Sequence, residues 1–110
     1  MFNINGVEWE VELVPPLHPQ MFRSDGSLTI GACDNLTQTI YINWSLNDAK
    51  FKKVLCHEIV HAAMFSYNIL LNIDEEELLA DLFATYGEEI IDVTNNIFHR
   101  MRVVRIREVS

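Results

Sequence analysis

The sequence predicts an α+β fold, and three observations support this prediction. Apolar and polar residues alternate over residues 7–13, which is the period of a half-buried strand. Residues 28–43 are rich in β-branched and aromatic side chains around a short polar connection, which indicates a β-hairpin. Residues 46–67 and 74–99 carry apolar side chains at helical spacing. A chain of 110 residues can bury one hydrophobic core but not two, so residues 1–110 are expected to form one domain with a short antiparallel sheet packed on helices.

The strand boundaries follow from turn residues and charge. Pro15-Pro16 should end the first strand, because proline cannot continue a ladder of backbone hydrogen bonds. Residues 103–109 alternate valine and isoleucine with arginine, which predicts a last strand beside the acidic segment 8–12. The alternative for this basic tail is an exposed arm that docks on a partner.

The first helix contains the most informative segment of the chain. Ser45, followed by Asp48 three residues later, predicts its start. Between residues 54 and 65 the side chains are apolar nearly all round, which is typical of a buried helix. His57, Glu58 and His61 interrupt this apolar surface. Burying such polar groups costs free energy unless each of them is satisfied.

The second helix is expected to open near Asp74 with an acidic first turn, which suits the positive end of a helix dipole. Gly87 is expected to end or kink it, and residues 88–99 are again helical in pattern.

Composition and charge exclude several classes of function. The net charge of −8 argues against a phosphate-binding surface, and hence against nucleic acid as a partner. No segment has the roughly 20 consecutive apolar residues of a membrane span, and the first residues lack the features of a signal peptide. A cytoplasmic protein, with Cys33 and Cys56 as free thiols, is therefore expected.

His57-Glu58-Ile59-Val60-His61 forms the pattern His-Glu-x-x-His. Residues four apart on a helix lie on one face, so both imidazoles can bind one ion. Glu58 lies about 100° around the helix from His57, within reach of a water at that ion. The pattern therefore predicts a zinc site with Glu58 as general base.

Catalytic zinc needs a third protein ligand, and Glu77 on the next helix is the candidate. Glu76 is the nearest competitor. Glu77 also fits a helix-capping role three residues after Asp74, so the two interpretations compete. Asp81, one turn beyond Glu77, can accept the outer N–H of a ligating histidine.

The ordered motifs resemble the gluzincins, and among them the ImmA/IrrE-like metallopeptidases and their short phage and prophage relatives. The resemblance covers residues from about 28 to 91. It rests on the predicted hairpin at 31–43, on His-Glu-x-x-His-Ala at 57–62, and on Glu77-x-x-Ala80-Asp81-x-Phe83-Ala84, which resembles the second motif of that group.

The resemblance implies a minimal zincin-like fold and peptide-bond hydrolysis by metal-activated water. His57, His61 and Glu77 would hold Zn²⁺, Glu58 would be the base, and Asp81 would orient a histidine. A protein or peptide substrate is implied, in the host-cell cytoplasm if the chain is phage encoded. The strand that would border the substrate is expected at residues 39–43, with Thr39, Tyr41 and Asn43 as candidates.

Three questions stay open from the sequence. The chain lacks the helix-turn-helix or sensor domain of longer members, and the alternative to an enzyme is a non-catalytic binding or regulatory module stapled by zinc. A peptidase also needs a donor for the oxyanion, for which Tyr41, Tyr67 and Tyr86 are candidates. The sequence leaves the oligomeric state open.

Overall fold

A computed structural model describes the backbone of residues 1–109 and the side chains of residues 1–102. Within this part the chain forms a four-stranded sheet and two α-helices, so the α+β prediction is confirmed. The elements are β1 (Phe2–Ile4), β2 (Val7–Val14), a 3₁₀-helix (Pro19–Met21), β3 (Gly31–Asp34), β4 (Thr39–Asn43), α1 (Asp48–Ser66) and α2 (Ile73–Val109).

The sheet is mixed, whereas the sequence predicted an antiparallel one. Its strand order is β1-β2-β4-β3. β1 and β2 pair antiparallel across the Asn5-Gly6 turn, where both residues adopt a positive φ, as tight hairpin turns require. β3 and β4 form the predicted hairpin. After β2 ends at Val14, however, the chain crosses to the far edge and returns as β4, which therefore runs parallel to β2.

The core lies where α1 packs on the sheet. Trp9, Ile40 and Ile42 are fully buried on the sheet side, and Val54 and Ala62 meet them from the helix. The indole Nε1–H of Trp9 donates to the Ser66 hydroxyl oxygen at 2.8 Å. Apolar burial and this hydrogen bond together set the position of α1 over the sheet.

The first helix begins at Asp48, two residues later than expected. Asn47 is its N-cap, because the Asn47 side chain accepts a hydrogen bond from the Lys50 N–H at 2.9 Å. The predicted cap, Ser45, donates to the Asn43 side chain instead.

The second helix is continuous for 37 residues. Two predictions are therefore wrong. Gly87 does not end the helix, since one glycine costs only about 1 kcal/mol in a helix interior. Residues 103–109 continue the helix instead of forming a strand, and β2, their predicted partner, is already paired with β1 and β4. The side chains of this tail lie outside the described residues.

Neither helix of the described chain combines the length and the hydropathy that a segment crossing a bilayer requires.

A core substitution tests this packing. We expect Ile40→Ala to lower the free energy of unfolding by about 2–5 kcal/mol, because it leaves a cavity under α1. Leu36→Ala is the control, since Leu36 is 97% exposed and its removal should change stability by less than about 0.5 kcal/mol. Urea denaturation measures both. Equal losses for the two variants would contradict the assigned core.

Candidate metal centre

Helix α1 presents the histidine pair at its contact with the sheet and α2. Glu58 and His61 are buried, with 6% and 8% of their surface exposed, and His57 is partly buried. The four-residue spacing stacks the two imidazoles one turn apart, as the sequence predicted. Their Nε2 atoms are 3.1 Å from each other.

Helix α2 brings a carboxylate to the same point. It packs against α1, and Ala80 is its fully buried residue near the site. Glu77, three residues earlier, lies on the same face. Its carboxylate oxygens are 3.3 Å from His57 Nε2 and 2.9 Å from His61 Nε2.

Glu77 is not used to cap α2. The Asn72 side chain accepts a hydrogen bond from the Glu75 N–H at 2.9 Å, and the Glu75 carboxylate accepts one from the Asn72 amide. This reciprocal pair satisfies the start of the helix. The sequence left two roles open for Glu77, that of a helix cap and that of a metal ligand. In the structure Glu77 lies beside the histidines and does not cap α2.

The outer nitrogen of each imidazole also meets a carboxylate. His57 Nδ1 is 2.9 Å from Asp81, where the sequence placed a partner for a histidine. His61 Nδ1 is 2.6 Å from Glu76, a role that sequence reasoning missed because it treated Glu76 only as a rival ligand. The available signal was spacing: residues 76, 77, 80 and 81 share one helical face, so two carboxylates flank Glu77.

These contacts determine where the imidazole lone pairs point. An ionised carboxylate only accepts hydrogen bonds, so Nδ1 of each ring must carry the proton that it donates. In the neutral imidazoles both Nε2 atoms are then acceptors. They point at each other and at the Glu77 carboxylate. Three acceptors that face one another in this way are stabilised by a cation between them.

The spacing of the three acceptors fits a zinc ion. Zinc binds histidine nitrogen and carboxylate oxygen at about 2.0–2.2 Å with tetrahedral angles, which puts neighbouring ligand atoms about 3.3–3.6 Å apart. The two Nε2 atoms are 3.1 Å apart, and Glu77 Oε2 is 3.3 Å from His57 Nε2 while Glu77 Oε1 is 2.9 Å from His61 Nε2. With one ligand atom taken from each residue, the three atoms lie within 4.8 Å of one another. Within the described residues, His57, His61 and Glu77 are the group of side chains that can hold a metal ion together.

Glu58 lies beside this group without joining it. Its Oε1 is 3.9 Å from His57 Nε2. Burial raises the pKa of Glu58 above its ordinary value, and the nearby Glu77 raises it further, while His61 and His57 lower it. Gly31 of β3 packs directly beneath, because a Cβ there would lie 3.2 Å from Glu58 Cγ. The Glu58 carboxyl is therefore buried against the sheet, next to the acceptor atoms of His57, His61 and Glu77.

Two adjoining cavities meet at His57, Glu58 and Glu77. The larger, of 710 Å³, has an apolar wall made of Phe22, Phe65 and Ile73. The smaller, of 370 Å³, is lined by charged side chains of both signs: Arg23, Lys50 and Lys53, and Glu58, Glu77 and Asp81.

The strand that borders the larger cavity is β3, and the prediction of β4 is wrong. β4 is paired with β2 on one side and β3 on the other, so Thr39, Tyr41 and Asn43 have no free edge for a peptide. β3 is the edge strand, and Gly31, Ala32 and Cys33 line the cavity. Sequence reasoning had no means to find the strand order, because it is set by pairing between distant segments.

The free edge of β3 presents backbone groups in register with the site. The Asn43 N–H donates to the Ile30 carbonyl at 3.0 Å, and hydrogen-bonded and non-hydrogen-bonded pairs alternate along an antiparallel ladder. Gly31 and Cys33 therefore direct their N–H and C=O groups away from β4, towards the cavity side of the strand.

The three tyrosines proposed as oxyanion donors do not line either cavity. Tyr41 stacks on His18, while Tyr67 and Tyr86 are more than half exposed. Arg23, in the loop before β3, lines both cavities and was missed because loop residues give no periodic signal.

Neither cysteine offers a thiolate to the site. Burial, together with Glu58, raises the pKa of Cys33 to about 12, and burial also raises the pKa of Cys56. Both are free thiols, as the sequence predicted.

Comparison of the chain with protein-family models, curated proteins and solved structures finds no significant match.

The buried position of Glu58 predicts that the fold becomes less stable at pH values where this carboxyl is ionised. Because its pKa in the fold is raised above 4.5, folding favours the protonated carboxyl, and this stability is lost as the pH rises from 4.5 through the folded-state pKa. In the presence of a chelator, Glu58→Gln should therefore melt at a higher temperature than the wild type at pH 7, and the difference should vanish below pH 4.5. Parallel melting curves at all pH values would contradict this placement.

The two outer carboxylates predict a graded loss of metal affinity. Asp81→Ala and Glu76→Ala should each weaken zinc binding about 10–100-fold, because the imidazole they orient becomes free to rotate. His57→Ala should abolish tight binding. Competition with a chromophoric chelator measures the affinities.

Glu10→Ala is the matched control, since it removes one negative charge from the exposed face of β2. If Asp81→Ala binds zinc no more weakly than Glu10→Ala, Asp81 does not orient a ligand.

Proposed function

We propose that this chain is a zinc-dependent metallopeptidase, with His57, His61 and Glu77 as metal ligands and Glu58 as general base. The observation that carries the proposal is the convergence of one ligand atom each from His57, His61 and Glu77 within 4.8 Å of one another, with the buried carboxylate of Glu58 beside them. Two histidines and one glutamate are a ligand set typical of catalytic zinc. Zinc in such a site lowers the pKa of water and polarises a carbonyl.

The number of ligands supports an enzyme over a zinc-stapled binding module. Structural zinc sites are usually closed by four protein ligands, whereas catalytic sites keep one position open. In the part of the chain that the structure describes, the group has three members. Glu58 is not a member of this group, and its Oε1 is 3.9 Å from His57 Nε2.

Glu58 performs the proton transfers in this proposal. It takes one proton from the water whose oxygen attacks the peptide carbonyl carbon, and it delivers that proton to the amine nitrogen as the C–N bond breaks. A pKa raised by burial suits both steps, because the carboxylate binds the proton more readily than an exposed glutamate does. Arg23 is the candidate donor to the developing oxyanion.

The substrate class follows from the walls of the two cavities. An extended peptide that pairs with the free edge of β3 passes His57 and Glu58 and enters both cavities. Phe22, Phe65 and Ile73 favour an apolar side chain in the larger cavity. The smaller cavity is lined by charges of both signs, from Arg23, Lys50 and Lys53 and from Glu58, Glu77 and Asp81, and therefore favours a polar side chain.

The proposal predicts that Glu58→Gln separates metal binding from hydrolysis. The variant should hold one zinc per chain, because it retains all three ligands, and should lose peptide hydrolysis by a factor of at least about 10². Elemental analysis measures the zinc. Mass spectrometry of a diverse peptide mixture detects new termini.

Glu10→Gln should cleave like the wild type, since it makes the same chemical change on an exposed strand. A Glu58→Gln protein as active as Glu10→Gln would exclude Glu58 as the base. A zinc-loaded wild type that cleaves none of the peptides would instead favour the binding module.

A further inference from the structure

The distal part of α2 projects from the body of the protein. The molecule measures 62 × 30 × 28 Å, and the residues described from Glu88 to Arg102 are all exposed. A helical segment of this length is marginal in water unless it packs against something.

One face of this segment carries an apolar stripe. Phe83, Ile90 and Ile97 recur every seven residues, with Tyr86 and Val93 between them, which is the pattern of a coiled-coil seam. The members are about half exposed: Phe83 46%, Tyr86 54%, Ile90 52%, Val93 50%, Ile97 45% and Met101 52%. Phe83, at the start of the stripe, borders α1 at Cys56. The later members lie about 60–140° around the helix from Ala80, beyond the part of α2 that packs on α1. Large exposed apolar patches of this kind mark interaction surfaces.

The charges beside the stripe identify its occupant. Glu89 and Arg100 lie on the same flank of the stripe, 11 residues apart, and both are exposed. Arg100 also stands at the seam position that follows Val93 by seven residues. In a parallel dimer, two Arg100 side chains would meet across the seam. In an antiparallel dimer centred near residues 94–95, the same flanks face each other and Arg100 of one copy lies beside Glu89 of the other.

We propose that the distal half of α2 forms an antiparallel coiled coil with a second copy of this chain, making the protein a homodimer. The seam consists of the stripe defined above. The two-fold symmetry gives two Glu89–Arg100 pairs beside it, each between Glu89 of one copy and Arg100 of the other. The metal ligands lie at the opposite end of α2, so each copy keeps its own cavities. The proposal does not depend on hydrolysis or on zinc.

Sedimentation of the full-length chain tests the proposal. The wild type should sediment as a dimer of the 12.7 kDa chain at tens of micromolar, and Ile97→Glu should raise the dimer dissociation constant at least tenfold by placing two charges in the seam. Asn95→Glu is the matched control, because position 95 lies about 160° from position 97 on the helix. It should remain dimeric.

Charge reversal tests the direction of pairing. Glu89→Arg and Arg100→Glu should each weaken the dimer several-fold, and the double variant should recover wild-type affinity. Circular dichroism checks that each variant keeps its helix content.

A wild type that is monomeric at these concentrations overturns the proposal, including the case in which another protein covers the stripe. Equal dissociation constants for Ile97→Glu and Asn95→Glu also overturn it. Failure of the double variant to recover affinity overturns the antiparallel arrangement.

Discussion

The packing of α1 on the sheet is the constraint on which the rest of the molecule depends. The buried side chains of Trp9, Ile40 and Ile42 pack against the helix. Gly31 allows a close approach, because a Cβ at this position would lie 2.6 Å from Val54 Cγ1 and 3.2 Å from Glu58 Cγ. The same contact that forms the core therefore removes Glu58 and His61 from water. Because polar groups in such a position are costly when unsatisfied, the surrounding structure has to supply partners for them.

Helix α2 supplies these partners from a single face. Ala80 is fully buried on this face, and Glu76, Glu77 and Asp81 around it contact the two imidazoles at both of their nitrogens. Four carboxylates, including Glu58, thus surround two histidines. This excess of negative charge around converging lone pairs is the electrostatic basis for proposing a bound cation. The free edge of β3 is the side from which an extended peptide would reach that cation.

The two halves of α2 have different surroundings and different proposed tasks. Its first half packs against α1 and contributes carboxylates to the site. Its second half is exposed and carries apolar residues that recur every seven positions. Gly87 lies near the transition, within the continuous helix. The surface proposed for self-association therefore begins about 9 Å along α2 from Glu77, at Phe83, and reaches about 30 Å from it at Ile97, given a rise of 1.5 Å per residue.

The sequence alone determined the α+β class, the β3–β4 hairpin, the buried helix and the histidine pair on one face of α1, because each depends on local periodicity or on spacing along one helix. Tertiary structure decided the rest. Residues 103–109 continue α2, and β2, their predicted partner, is already paired on both sides. The packing of α2 on α1 brought Glu77 and Asp81 to the histidines and paired Glu76 with His61. The fold also placed β4 inside the sheet and β3 at its edge, and brought Arg23 to the cavities. These contacts join segments far apart in the chain, whose strand pairing and helix approach are set by the burial of apolar surface common to them all.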